Sequence, residues 1–249
     1  MSGHSKWHNI KMRKGAQDAK RGKIFTKISR EIMVAVRESG PNPDTNIKLK
    51  MCMQKARDNS MPNDTVQNAI KRASGAADSA NYEEVYYEGY GPGGVAMLVQ
   101  TLTDNKNRTV SEVRLAFTKH AGNLAGQGAV AYLFSRKGQF LFSKETCDED
   151  AIMETALEAG AEDVKTDSDD TIEVITDPGD YQTVREAFEA AGIEFESAEV
   201  TMIPATTISI TDEKDAAKII KIMDQLEDCD DVQKVYSNFD IDDSIMEKL

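Results

Sequence analysis

The sequence of 249 residues has few of the side chains that build disulfide-stapled or metal-held proteins. Cysteine occurs three times, at positions 52, 147 and 229, and histidine three times, at 4, 8 and 120. Three distant cysteines give no disulfide framework, and none has histidines at ligand spacing, so neither a secreted staple fold nor a structural zinc site is expected. Long apolar runs are also missing. The longest, GVAMLVQTL from Gly94 to Leu102, is strand-length, well short of the roughly 20 residues a membrane helix needs. The first twenty residues lack the apolar centre of a secretory signal. These absences predict a cytoplasmic protein with no membrane partner and free cysteines in a reducing compartment.

What the chain has in excess is charge, and the charge is divided. Residues 1–75 carry sixteen Lys or Arg against six Asp or Glu, a net of +10, whereas residues 76–249 carry fourteen against thirty-seven, a net of −23. A basic module on an acidic body should meet polyanions through the module, because the body repels them.

Periodicity predicts an α+β multidomain protein, with a three-helix module followed by two α/β domains. From Ala16 to Glu38, the apolar residues Ile24, Phe25, Ile28, Ile32, Ala35 and Val36 fall within about 120° of a helical wheel, the stripe an amphipathic helix buries. SGPNPD, Ser39 to Asp44, should end that helix. A second helix is expected on Leu49, Cys52, Met53 and Ala56, and a third after Pro62 on Val66, Ala69, Ile70 and Ala73. After a polar linker the pattern turns to strands, with a helix opened by DNKNRT that has Val110, Val113, Leu115 and Phe117 as its apolar positions, and a strand AVAYLF at 129–134. Residues 138–204 then read β-α-β-β-α-β, the plan of a ferredoxin-like domain. The strand-helix-strand that remains after Pro204 makes an incomplete sheet on its own. The expected division is therefore a basic helical domain, 1–76, a discontinuous middle domain, 77–135 with 205–249, and an inserted ferredoxin-like domain, 136–204.

On the first helix Lys20, Lys23, Lys27, Arg30 and Arg37 occupy about 100° opposite the apolar stripe, with Arg21 outside that arc. Fed by Lys6, Lys11, Arg13 and Lys14 of the preceding arm, they would form one positive surface for phosphate, which positions a nucleic acid without reading its sequence. A merely solvated face is the alternative. Trp7 could stack on a base or pin the arm across the module, and His4 and His8 could contact phosphate or simply be exposed.

Catalysis finds no warrant in the acidic body. GYGPGG, Gly89 to Gly94, lacks the GK[ST] ending of a phosphate loop and precedes a strand, so it reads as a turn. His120 has no assignable nucleophile or acid, and no compact metal-ligand pattern appears. No enzyme activity, cofactor or metal is expected. The polar run Asp104 to Thr109, with Asn105, Asn107, Arg108 and Thr109, reads as a helix cap that could also contact a macromolecule.

GHSKW at 3–7, QDAKRGKIFTK at 17–27, NSMP at 59–62, YEGYGPGG at 87–94, LTDNKNRTVSEVR at 102–114 and AGNLAGQGAVAYLF at 121–134 together resemble the YebC/TACO1 family over essentially the full length. The resemblance implies an N-terminal helical domain followed by two α/β domains, one interrupting the other. It also implies a role in gene expression, either as a DNA-binding transcriptional regulator or as a translation factor at the large ribosomal subunit that assists synthesis through proline-containing stretches. Carried over, it marks His4, Ser5, Lys6 and Trp7, then Lys20, Arg21, Lys23 and Lys27, then Asn105, Asn107, Arg108 and Thr109. Lys48 and Lys50 are also expected to contact nucleic acid, although arginines are common there in the family, so the charge is kept without the bidentate geometry. The chain departs further at Ala121, usually glycine, and at Ala129, often serine. A basic face with an arm suits irregular RNA better than a regular groove, and the acidic body could meet basic ribosomal proteins. The expected partners are therefore the large subunit and its RNA, with duplex DNA, or a purely protein-bound adaptor role, as alternatives.

Overall fold

The computed structural model describes residues 17–75, 81–166, 168, 171–242 and 245, with side chains described from residue 22 onward. The module consists of α1 (Gln17–Ser39), α2 (Ile47–Asp58) and α3 (Asn63–Ser74). The apolar stripe of α1 is buried as its spacing predicts. Ile28, Ile32, Ala35 and Val36 pack on Leu49, Ala56, Met61, Val66 and Ala69, each large side chain contributing roughly 1.5–3 kcal/mol on burial. Asn46 fixes the corner between α1 and α2. Its amide donates to the carbonyls of Ala35 (2.7 Å) and Gly40 (2.8 Å), while its oxygen accepts from Leu49 N–H to cap α2.

The middle domain begins with the antiparallel hairpin β1 (Glu83–Tyr90) and β2 (Ala96–Thr103). GYGPGG is its turn, with Gly93 and Gly94 at φ 70° and 79°, backbone that side chains with a Cβ rarely adopt. After α4 (Lys106–Lys119) and the short β3 (Asn123–Leu124), the chain leaves this domain and returns as β8 (Ile208–Ile210), α7 (Glu213–Asp228), β9 (Val232–Ser237) and β10 (Phe239–Ile241). β9 adds antiparallel to β2, giving the order β3-β1-β2-β9, and β8 pairs with β10. The incomplete sheet expected after Pro204 is completed in this way. Helices α4 and α7 cover one face of the sheet through Val113, Phe117, Ile219, Ile222, Met223 and Leu226.

Between the halves lie β4 (Phe134–Ser143), α5 (Glu149–Glu158), β5 (Asp163–Lys165), β6 (Thr171–Thr176), α6 (Tyr181–Ala191) and β7 (Ser197–Pro204). Their order β5-β6-β4-β7, antiparallel throughout, is that of a ferredoxin-like sheet. In its core Phe188 meets Phe140 at a tilt and Phe142 edge-on, and Phe140 stacks on Tyr181.

Two expectations about elements need correction. AVAYLF is not a strand. Residues 131–133 form a 3₁₀ turn, and a single long strand starts at Phe134. The cause is Glu88, whose buried carboxylate accepts the N–H groups of Gly128 (2.6 Å), Val130 (2.6 Å) and Ala131 (2.9 Å), donors a strand would need for its ladder. Leu115 is not an inward position but 56% exposed, because the buried face of α4 runs through Thr109, Val113, Ala116 and Phe117. The three cysteines are free and half-buried.

Candidate nucleic-acid interface

Of the predicted contact residues, His4, Ser5, Lys6, Trp7, Lys11, Arg13 and Lys14 lie outside the described residues, and Lys20 and Arg21 are placed only as backbone of α1. The rest can be located. The basic row of α1 does stand opposite its apolar stripe, but over its middle turns it faces the acidic body rather than open solvent. Lys23 Nζ lies 2.7 Å from Asp228 Oδ1. Lys27 donates to the carbonyl of Glu227 at 2.9 Å. Arg30 donates to the carbonyl of Asp230 and lies 3.1 Å from Asp231 Oδ1, with its guanidinium over the Tyr82 ring. These acceptors sit where α7 ends and β9 begins. The carbonyls of a last helical turn and the negative end of the helix dipole there favour cations. Burial lowers the Lys27 pKa, and the nearby Glu227 opposes that shift.

The other basic positions differ in exposure and pairing. Lys48 is tied to Glu38 at 2.5 Å. Lys50, Arg57, Lys71 and Arg72 are exposed on α2 and α3, and among the described residues no ion pair engages them. Lys55 meets Glu31 at 2.6 Å on the flank of α1.

The polar run after β2 is brought to the same place. Asn105 caps α4 by accepting from Arg108 N–H at 3.1 Å, as its residue type predicts. Asn107 remains exposed in the first turn. Arg108 and Thr109 instead point at Asp231. Arg108 donates through Nε (3.1 Å) and a terminal nitrogen (2.7 Å) to Asp231 Oδ2, and the Thr103 and Thr109 hydroxyls lie 3.2 and 2.8 Å from the same oxygen. Asp231 is 2% exposed. Burial opposes its ionisation, yet the hydrogen bonds from Arg108 and Thr109 and the charges of Arg108 and Arg30 outweigh it and hold the carboxyl below the ordinary aspartate range. Arg108, bonded to Asp231 and Asp104, is shifted further up.

Asp231 is thus the hub that the sequence reading missed. It joins Arg30 of the module to the start of α4 and to β9. The only signal in the sequence was DCDD at a helix-strand junction, hidden within thirty-seven acidic residues of the body. Around it opens a polar cleft of about 600 Å³ lined by Arg30, Asp104, Arg108, Glu112, Gln225 and Asp228 to Asp231. His120 contacts Gln225 at 3.1 Å, which gives it a structural partner.

A second link crosses from α2 to the inserted domain. Arg185, 5% exposed, places its two terminal nitrogens 3.2 and 3.4 Å from the carboxylate of Asp58. Glu88 is the other carboxylate that was not foreseen. Burial raises its pKa, and the three backbone donors more than reverse that shift. It fixes the loop at 128–131, beside which Tyr132 is 75% exposed. No described helix is long and apolar enough to cross a membrane.

Comparison with known proteins agrees with this architecture along the chain. Residues 5–76 match the family described as TACO1/YebC protein N-terminal domain, and residues 82–239 match TACO1/YebC second and third domain. A probable transcriptional regulatory protein of Persephonella marina is 53% identical over 249 residues, covering 100% of both chains. One from Clostridium tetani is 58% identical over 239 residues, covering 96% of each. The crystal structure of a conserved hypothetical protein from Aquifex aeolicus superposes with a TM-score of 0.81 at 45% identity, covering 91% of this chain and 93% of that one. With both of its domain signatures matched in order and full-length relatives at this identity, the chain belongs to the TACO1/YebC family.

Proposed function

We propose that the protein is a non-enzymatic, nucleic-acid-binding regulator of gene expression, acting in the cytoplasm as a translation factor on the large ribosomal subunit. The observation that carries this reading is the division of charge, +10 on residues 1–75 against −23 on the rest, together with the exposed cations Lys50, Arg57, Lys71 and Arg72 on the module. Such a module can bind folded ribosomal RNA through phosphates, while the acidic body is suited to the basic ribosomal proteins that surround that RNA. The resemblance to the family supports assistance at proline-containing stretches as the task performed there.

Transcriptional regulation on duplex DNA is the second reading, and one feature favours it besides the relatives' names. α2 and α3 are joined by a short turn, and α3 exposes Asn63, Gln67, Asn68 and Lys71, side chains of the types that read base edges in a major groove. Asp64 in the first turn of α3 counts against close approach to phosphate.

The deciding experiment is binding of the purified protein to large ribosomal subunits across a salt series, with excess duplex DNA as competitor. Subunit binding that DNA cannot displace supports the translational reading. Preference for a particular duplex with weak subunit binding would replace it with the transcriptional one.

A further inference from the structure

The basic row of α1, which the proposed function would place against phosphate, already holds a row of oxygen acceptors within the chain. Lys23, Lys27 and Arg30 stand on successive turns of one helix face, about 5 Å apart along the axis. Their partners all lie in the five residues 227–231, at the end of α7 and the start of β9: the Asp228 carboxylate for Lys23, the Glu227 carbonyl for Lys27, and the Asp230 carbonyl and Asp231 Oδ1 for Arg30. Carboxylates and helix-terminal carbonyls presented in this spacing offer a cation row what a phosphate backbone offers it.

The rest of the seam is consistent with an exchangeable contact. Among the described residues, the apolar cluster of the module runs only from Ile24 to Ala73 and includes no residue of the other two domains. Among the described residues, the module meets them through the Lys23–Asp228, Arg30–Asp231 and Arg185–Asp58 pairs, hydrogen bonds to carbonyls and the Arg30 guanidinium over Tyr82. The Lys23–Asp228 pair is 46% and 74% exposed, and exposed pairs are individually weak and screened by salt. A polyanion that releases counterions on binding can therefore displace the Lys23 contact first, and must then draw Arg30 from Asp231, where the side chains are 14% and 2% exposed.

We propose that residues 227–231 act as an internal polyanion mimic that masks the basic row of α1, so that RNA and the protein's own acidic body compete for Lys23, Lys27 and Arg30. This inference rests on the reading that the module binds nucleic acid. It adds regulation to that reading, since the row becomes available only when the module leaves the body.

The test uses the full chain and fluorescein-labelled oligouridylate RNA. Asp228→Asn combined with Asp58→Asn removes one carboxylate from each side of the seam and leaves every cation in place. Both carboxylates are surface-accessible, and Arg185 keeps Glu189 and Tyr181 as partners; circular dichroism and thermal unfolding check that the fold is retained. Hydrogen exchange at α1 and at 227–231 reports release of the module independently of RNA. A matched control, Glu154→Gln with Asp163→Asn, makes the same charge change on the exposed surface of the inserted domain. The expected result is release of the module and a rise in RNA affinity of about three- to tenfold, with the salt slope steeper by about 2 for three freed cations on a single strand, and no change in the control. The charge swap Lys23→Glu with Asp228→Lys should return the seam to its closed exchange pattern.

Release without a gain in affinity, an equal gain in the control, or no release at all would each overturn the masking. If the original and the released chains bind RNA equally well, the nucleic-acid reading stands and only the masking fails. If neither binds RNA even at low salt, both fail.

Discussion

The module and the inserted domain are attached to the middle domain in opposite ways. The inserted domain shares an apolar cluster with it, in which Ala96, Leu98, Val130, Phe134 and Tyr236 are buried and Met202 packs alongside. Its entry strand β4 and exit strand β7 also pair from Phe134–Pro204 onward, so both chain crossings are held together. Among the described residues, the module meets the same body through ion pairs, carbonyl contacts and the Arg30 guanidinium over Tyr82. Apolar seams are insensitive to ionic strength, whereas ion pairs weaken with it. Two domains of similar size on one body can therefore differ in how readily they separate, and the basic one is the separable one.

This contrast is broken most sharply by deleting one anchor of each kind. Phe134→Ala should cost about 3–5 kcal/mol by emptying the apolar seam, and Asp231→Ala a similar 3–5 kcal/mol by leaving Arg30 and Arg108 without their buried partner. Denaturant titration gives the totals, and hydrogen exchange should separate the two. The first variant loosens β4 and β7, while the second loosens α1 and the start of α4. Equal effects on all three domains would erase the distinction. Raising the salt should mimic part of the second variant and none of the first.

A smaller effect is expected at Glu88, where Glu88→Gln weakens three charge-assisted bonds and should cost about 1.5–3 kcal/mol. The folded carboxyl titrates below its unfolded value, so its contribution is complete above the ordinary glutamate pKa of about 4.3 and disappears as pH falls through the lower folded value. Stability of the original chain should therefore fall more steeply than that of the variant below about pH 4.3. Parallel acid titrations would show that Glu88 is not held as described.

The smallest expected change is a gain. Ala121 ends α4 with φ 62°, a left-handed conformation that suits glycine and strains alanine. Ala121→Gly should relieve that strain and stabilise the chain by about 1 kcal/mol, less the entropy glycine adds to the unfolded state. Thermal unfolding measures it. It should leave both seams unchanged, so a change in module exchange would mean that the corner after α4 is coupled to Asp231.

Local features were legible because local chemistry determines them. The α1 stripe, the Asn105 cap and the GYGPGG turn each follow from side-chain spacing or backbone freedom within a few residues. AVAYLF was misread because its β-favouring composition is overridden by Glu88, some forty residues away in sequence, which takes the backbone donors for itself. Leu115 faces solvent because an apolar residue type does not fix its side of a helix, and the sheet under α4 accepted Thr109 and Ala116 instead. Asp231 carried no motif, and its role exists only where α1, α4 and β9 converge.

By itself the sequence determined the three-helix module, the β-α-β-β-α-β insertion and the separation of positive from negative charge, since periodicity and composition are properties of the chain in order. Only the tertiary structure decided which negative charges the positive ones meet. Lys23 and Asp228 are 205 residues apart, and no local rule relates them. They come together because β9 must pair with β2 to complete the sheet, and that pairing brings the end of α7 beneath the basic face of α1.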